Sequence, residues 1–103
     1  MSIIHLESEN FNDLIGKGLT LVDFYADWCG PCKMLSPIIE ELSNEVNDVK
    51  IIKVNIDEHS EIAQMYGVMS IPTLILFKDG KEINTNVGFI PKDEIIEFIN
   101  TNQ

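Results

Sequence analysis

A chain of 103 residues, 45% of them hydrophobic, can bury one ordinary core without disulfide or metal staples, and no stretch is long enough for a transmembrane helix. The 17 acidic residues outnumber the 7 basic ones, none of which is arginine, and the net charge is −10. Such a surface repels polyanions, so nucleic acid and anionic membranes are poor partners, and the charge itself reads as a device for solubility.

The N-terminus, Met1 to Glu7, has neither a basic segment nor a long apolar run, and so does not resemble a secretory leader. A cytoplasmic protein is expected, although a chain already relieved of its leader would read alike. Ile3 to Leu6 forms a short first strand. Ser8 is placed to cap a helix that carries Phe11, Leu14 and Ile15 on one face and stops at Gly16 and Gly18. Leu19 to Ala26 is apolar at both alternating sets of positions, the pattern of a central strand covered on both sides, with Asp23 as its exception.

A helix follows Cys29 and runs to about Glu45, with Leu35, Ile38, Ile39, Leu42 and Val46 at helical spacing and Pro37 expected to kink it. Val49 to Ile56 is a second β-rich run. The intervening length leaves room for a helical crossover, so the two strands should be parallel. A short helix, Glu61 to Tyr66, ends at Gly67. Thr73 to Phe77 and Ile83 to Val87 flank Asp79-Gly80, a strong hairpin signal. Pro91 opens a last helix with Ile95, Ile96 and Ile99 buried and Asp93 and Glu94 at its positive end. The order βαβαβαββα predicts a single α/β domain over residues 1–103. It is a three-layer α/β/α sandwich with a mixed five-stranded sheet and four helices.

The two cysteines lie three positions apart in Trp28-Cys29-Gly30-Pro31-Cys32-Lys33. A disulfide closing so short a loop stabilises little, so the pair calls for a redox role. Both positions fall on one face at the start of a helix, at a separation that suits a disulfide. Cys29 lies beside free N–H groups and the positive end of the dipole, which favours its thiolate. Cys32, one turn in, should be the less exposed. Hence Cys29 attacks a substrate disulfide, and Cys32 resolves the mixed disulfide. Zinc would need four ligands, and His5 and His59 are too distant in sequence to complete a set with the two thiols.

Asp23 and Lys53 complete the candidate catalytic set. Asp23 shares its strand face with Leu21 and Tyr25, which favours a buried carboxyl of raised pKa that takes the Cys32 proton through water over an ordinary solvent-facing aspartate. Lys53, mid-strand in the neighbouring run, either pairs with Asp23 or reaches solvent along its aliphatic stem.

Over essentially its whole length the sequence resembles the thioredoxin family. The resemblance is carried by Val22-Asp23-Phe24-Tyr25-Ala26, by Trp28 to Lys33, and by Pro37, Lys53-Val54-Asn55-Ile56-Asp57, Ile71-Pro72-Thr73, Phe77, Gly80 and Val87-Gly88. It implies a thioredoxin-like fold and general protein dithiol–disulfide oxidoreductase activity, in the reductant branch that has Gly-Pro between its cysteines. It also implies a cis Pro72 facing the sulfurs, an Ile71 backbone that pairs with the substrate chain, and a docking surface of Trp28, Gly30, Pro31 and Gly88. The implied partners are disulfide-containing client proteins and a flavin-containing, NADPH-linked thioredoxin reductase. No cofactor is expected on this chain, which should act as a monomer. Met69-Ser70 and Phe89 depart from common family residues at the border of that surface and bear on partner preference.

In thioredoxins, the standard example of this motif, the first thiol titrates near ~7 against ~8.5 for free cysteine. Carried over to Cys29, that family value raises thiolate at pH 7 from roughly 3% to roughly 50%. The accompanying fall in nucleophilicity takes back about a factor of 4–6. A net gain of about threefold is small, so orientation and proton transfer must supply more. The rival to a reductase is a redox-independent scaffold that uses the same surface; the presence of both cysteines favours the reductase.

Overall fold

The computed structural model describes residues 3–101. Its elements are β1 (Ile3–His5), α1 (Phe11–Ile15), β2 (Leu19–Tyr25), α2 (Gly30–Glu45), β3 (Val49–Asn55), α3 (Ser60–Met65), β4 (Thr73–Lys78), β5 (Lys81–Val87) and α4 (Lys92–Thr101). The strands form one mixed sheet in the order β1-β3-β2-β4-β5. β2 and β3 are parallel, as a helical crossover requires, whereas β4 pairs antiparallel with both β2 and β5.

Alternation along the central strands builds two cores. Val22, Phe24, Ile52, Val54, Ile75 and Phe77 face one side, where Phe11 and Ile15 of α1 and Ala63 of α3 cover them. Leu21, Ile51, Leu74 and Leu76 face the other, under Leu35, Ile39 and Leu42 of α2 and Ile95 and Ile99 of α4. The three layers follow from β2 and β3 being apolar on both faces. Lys92 of α4 also donates to Glu41 and Glu45 of α2, at 2.6 and 2.7 Å, across the seam between the two helices.

Local chemistry sets the joints. In the β4–β5 turn, Asp79 and Gly80 both have positive φ (50° and 85°), the conformation for which Asp-Gly is suited. α2 stays continuous through Pro37, whose ring nitrogen cannot donate to the preceding turn. The strand runs end one residue earlier than read, at Tyr25 and Asn55, while β5 starts at Lys81, two residues sooner. Pro91 lies just outside α4; its carbonyl accepts from the N–H groups of Glu94 and Ile95, and the helix starts at Lys92.

The cap of α1 differs from the sequence reading. Asn10, not Ser8, is the N-cap, and its Oδ1 accepts the Asp13 N–H at 3.0 Å. Phe11 and Ile15 dock on the sheet and fix the first turn two residues later than Ser8 allows. Asn10→Ala should therefore cost about 1 kcal/mol of stability, and Ser8→Ala almost nothing, when urea midpoints are compared.

Candidate active site

β2 delivers the chain to the site. After Tyr25 and the buried Ala26, Asp27 and Trp28 cross to Cys29, which is the N-cap residue of α2. Its Sγ accepts the Cys32 N–H at 3.2 Å, so a sulfur occupies the place of a capping oxygen. Pro31, in the first turn, has no N–H to leave unpaired and its fixed φ suits the helix start. Cys29 and Cys32 form a disulfide, with Cα atoms 5.2 Å apart.

The two sulfurs differ less in exposure than their sequence positions imply. Each cysteine is 4% exposed. Cys29 is covered by a segment from across the molecule: its Sγ lies 3.8 Å from the Ile71 carbonyl oxygen, and Ile71 and Ile56 pack against the pair. The Ile71–Pro72 bond is cis and Pro72 is buried. Thr73 Oγ1 donates to the Ser70 carbonyl at 2.5 Å, and the Gly88 N–H donates to the Pro72 carbonyl at 2.8 Å, which ties the end of β5 to this loop. Gly88 has φ 98°, a conformation that disfavours any other residue there.

Trp28 is 68% exposed, with its ring in solvent rather than in the core. Its Nε1 donates to Asp57 Oδ2 at 2.9 Å, and Asn55 Oδ1 in turn accepts the Asp57 and Glu58 N–H groups. Sequence reasoning passed over Asp57 and Asn55 as site residues; their place at and just beyond the end of β3, level with the end of β2, was the available signal. Gly30, Pro31, Met69 and Phe89 are exposed around the same end of the sheet.

Asp23 lies on β2, six residues before Cys29, on the sheet face of Leu21 that α2 covers. It is 1% exposed, and burial lifts its carboxyl from an ordinary 3.8 to about 6 against the opposing pull of Lys53. Its Oδ1 has no hydrogen-bond partner among the described residues. Lys53 is opposite Asp23 in the β2–β3 register, yet neither sequence reading of it holds. It is 8% exposed, so it does not reach out to solvent, and it forms no ion pair with Asp23. Its Nζ donates to Ser36 Oγ at 3.1 Å and sits 4.5 Å from the centre of the Tyr25 ring. Ser36 also escaped the sequence reading, although it is four residues after Cys32 and so on the same helix face. Cys32, Ser36, Lys53, Tyr25, Ala26 and Asp27 border a cavity of about 140 Å³. It is wide enough for water between Cys32 and the lysine.

The sequence model of the thioredoxin family matches residues 2–101. The chain belongs to the thioredoxin family. It is 59% identical to the thioredoxin of Chlamydia caviae over 92% of this chain and 93% of that one. It is 48% identical to the thioredoxin of Bacillus subtilis over 97% of each chain. Among solved structures it superimposes on a mutant thioredoxin from Halobacterium salinarum NRC-1 with a TM-score of 0.89 at 36% identity, covering 97% of this chain and 89% of that one. As a member of this family the chain is a protein thiol–disulfide oxidoreductase, and Cys29–Cys32 is its redox-active disulfide. Membership also implies, in general terms, interaction with thioredoxin reductase and with disulfide-containing proteins. Among the described residues no helix is long and apolar enough to cross a membrane.

The buried carboxyl makes stability depend on pH. Asp23 binds its proton more tightly folded than unfolded, so it favours the folded state below pH 4 and progressively loses that advantage as pH rises through about 6. A difference between 3.8 and about 6 corresponds to about 3 kcal/mol. Asp23→Asn should therefore gain stability relative to the native chain between pH 4 and pH 7, by up to about that amount, in paired urea titrations; parallel curves at both pH values would contradict it.

Proposed function

We propose that this thioredoxin-family chain acts as a general reductant of protein disulfides, with Cys29 attacking and Cys32 resolving. The observation that carries the assignment is the position of Cys29 Sγ, at the N-cap of α2 where the Cys32 N–H points at it. That donor and the helix dipole favour a thiolate on Cys29 over one on Cys32. In the dithiol form, the Cys29 thiolate forms a bond to one client sulfur, and the client's other sulfur leaves as a thiolate and takes a proton from water. Cys32 then loses its proton and attacks Cys29 Sγ. The Cys29–Cys32 bond forms and the remaining client sulfur departs. The client gains two electrons, and the pair is oxidised.

Asp23 is the proton acceptor for Cys32 on this reading, through water in the cavity that Cys32 and Lys53 line, with Lys53 modulating its charge. Trp28, Gly30, Pro31 and Gly88 form the docking surface, while the Ile71 backbone and Pro72 align the client strand. A flavin-containing thioredoxin reductase returns two electrons from NADPH. The chain works as a single-domain monomer in the cytoplasm. Its exposed Met69, Ser70 and Phe89 tune which partners dock.

Replacing Cys32 by Ser should abolish turnover and trap clients as mixed disulfides on Cys29, visible on non-reducing gels. A cellular phenotype that survives Cys32→Ser would instead establish the redox-independent scaffold. Resolution of a preformed mixed disulfide should slow as pH falls below about 6, where Asp23 becomes protonated. In Asp23→Asn that limb should vanish and the rate at pH 7 fall by roughly a hundredfold, the low end for a positioned proton acceptor. An unchanged rate removes Asp23 from the mechanism.

A further inference from the structure

Lys53 presents an unusual choice of partner. A buried carboxylate stands directly across the β2–β3 ladder, with one oxygen lacking a hydrogen-bond partner among the described residues, yet the ammonium is bonded to a neutral hydroxyl on a different element. A hydrogen bond from an ammonium to a serine is weaker than one to a carboxylate, so the lysine is being directed. Two contacts direct it. Ser36 Oγ accepts from Nζ at 3.1 Å, and the Tyr25 ring holds the same ammonium on its face at 4.5 Å. Ser36 is four residues after Cys32 on α2, and both side chains border the cavity that Lys53 lines.

We propose that Ser36 is a positioning residue whose hydroxyl holds the Lys53 ammonium off the Asp23 carboxylate, keeping that carboxylate free to accept a proton. Few other groups could set the charge at Asp23. On its own strand the titratable neighbour is Tyr25, and Lys53 is the one β3 presents. β4 places Leu74 opposite it, and α4 turns the apolar Ile95 and Ile99 to this face. α2 brings Cys32 and Ser36 to the cavity, with Asp27 and Lys33 also on its wall, and Glu58 acts on Tyr25.

Without the hydroxyl, Asp23 Oδ1, directly across the ladder and unpartnered among the described residues, is the buried acceptor open to Lys53. A closer ammonium favours the charged carboxylate and moves its titration to lower pH. The consequence for turnover rests on Asp23 as the proton acceptor of Cys32; the placement of the lysine does not.

The test is a carbon-13 NMR titration of the Asp23 side-chain carboxyl in the oxidised protein, where neither cysteine titrates. Ser36→Ala should lower the Asp23 midpoint by about 0.5–1 pH unit. Ser36→Thr, which keeps the hydroxyl, should restore it. In a Lys53→Met background Ser36→Ala should have no effect on the midpoint, because the effect runs through the lysine. An unmoved or raised midpoint in Ser36→Ala, or a shift that persists in Lys53→Met, overturns the proposal. The acid limb of mixed-disulfide resolution provides the separate readout. If the carboxyl midpoint falls and the limb follows it, both readings stand. If the midpoint falls and the limb stays, Ser36 positions Lys53 and Asp23 is not the acceptor.

Discussion

The sulfur of Cys29 caps α2, and the geometry of the site depends on that single contact. A helix start has N–H groups with no partner inside the helix, and a polar side chain ordinarily accepts one of them. Here the acceptor is sulfur, bonded to the Cys32 N–H. The arrangement couples helix formation to redox chemistry. A thiolate accepts such a bond more strongly than a disulfide sulfur, because charge on the acceptor roughly doubles a hydrogen bond. On the proposed mechanism, reduction therefore places negative charge where the start of α2 best stabilises it. The cap works only because β2 stops at Tyr25 and the chain needs just Ala26, Asp27 and Trp28 to reach it. A central strand buried on both faces thus anchors the Cys29 sulfur to the core of the sheet.

The same burial creates the site's cost. Asp23 and Lys53 are buried on the face shared by Leu21, Leu35 and Ile39. The upward displacement of the carboxyl amounts to about 3 kcal/mol at neutral pH. That equals the gain from burying one or two large apolar side chains, each worth about 1.5–3 kcal/mol. Leucine at position 23 would continue the pattern of β2 and remove the cost. A local violation of an otherwise consistent pattern marks function more often than accident. On the proposed mechanism the reason is proton transfer from Cys32.

Much of this was legible in the sequence, for physical reasons that differ between elements. The Leu19 to Ala26 run could only be a doubly covered strand, and Asp79-Gly80 could adopt positive φ at both positions of its turn. These signals are local. What was missed depends on distant segments. Ser8 and Asn10 are equally good caps by type; the docking of Phe11 and Ile15 chose between them. Cys29 should have been the more exposed thiol by its place in α2, but Ile71, 42 residues away, covers it. Lys53 had two readings and adopted neither, because its partner Ser36 lies on another element and no periodicity reports such a pairing. The cis bond before Pro72 was implied by family resemblance alone, since propensity favours trans.

A protein of net charge −10 gains no long-range attraction toward acidic partners, and thiolate enrichment at the family's typical thiol pKa would contribute only about threefold to the rate. On the proposed mechanism the remaining advantage must arise at contact. The surface beside the disulfide is suited to that: Trp28 stands out into solvent yet is tethered through Asp57, and Met69 projects from the loop that leads to Ile71. A tethered ring presents apolar area with little further loss of rotamer freedom, whereas an unbranched methionine adapts to whatever it meets. Backbone pairing at Ile71 would add binding that reads no side chains, as strand addition does elsewhere. Rigid ring, pliant thioether and sequence-blind backbone together favour many clients over one, consistent with a general reductant whose precision lies in the path of a proton beneath Cys32.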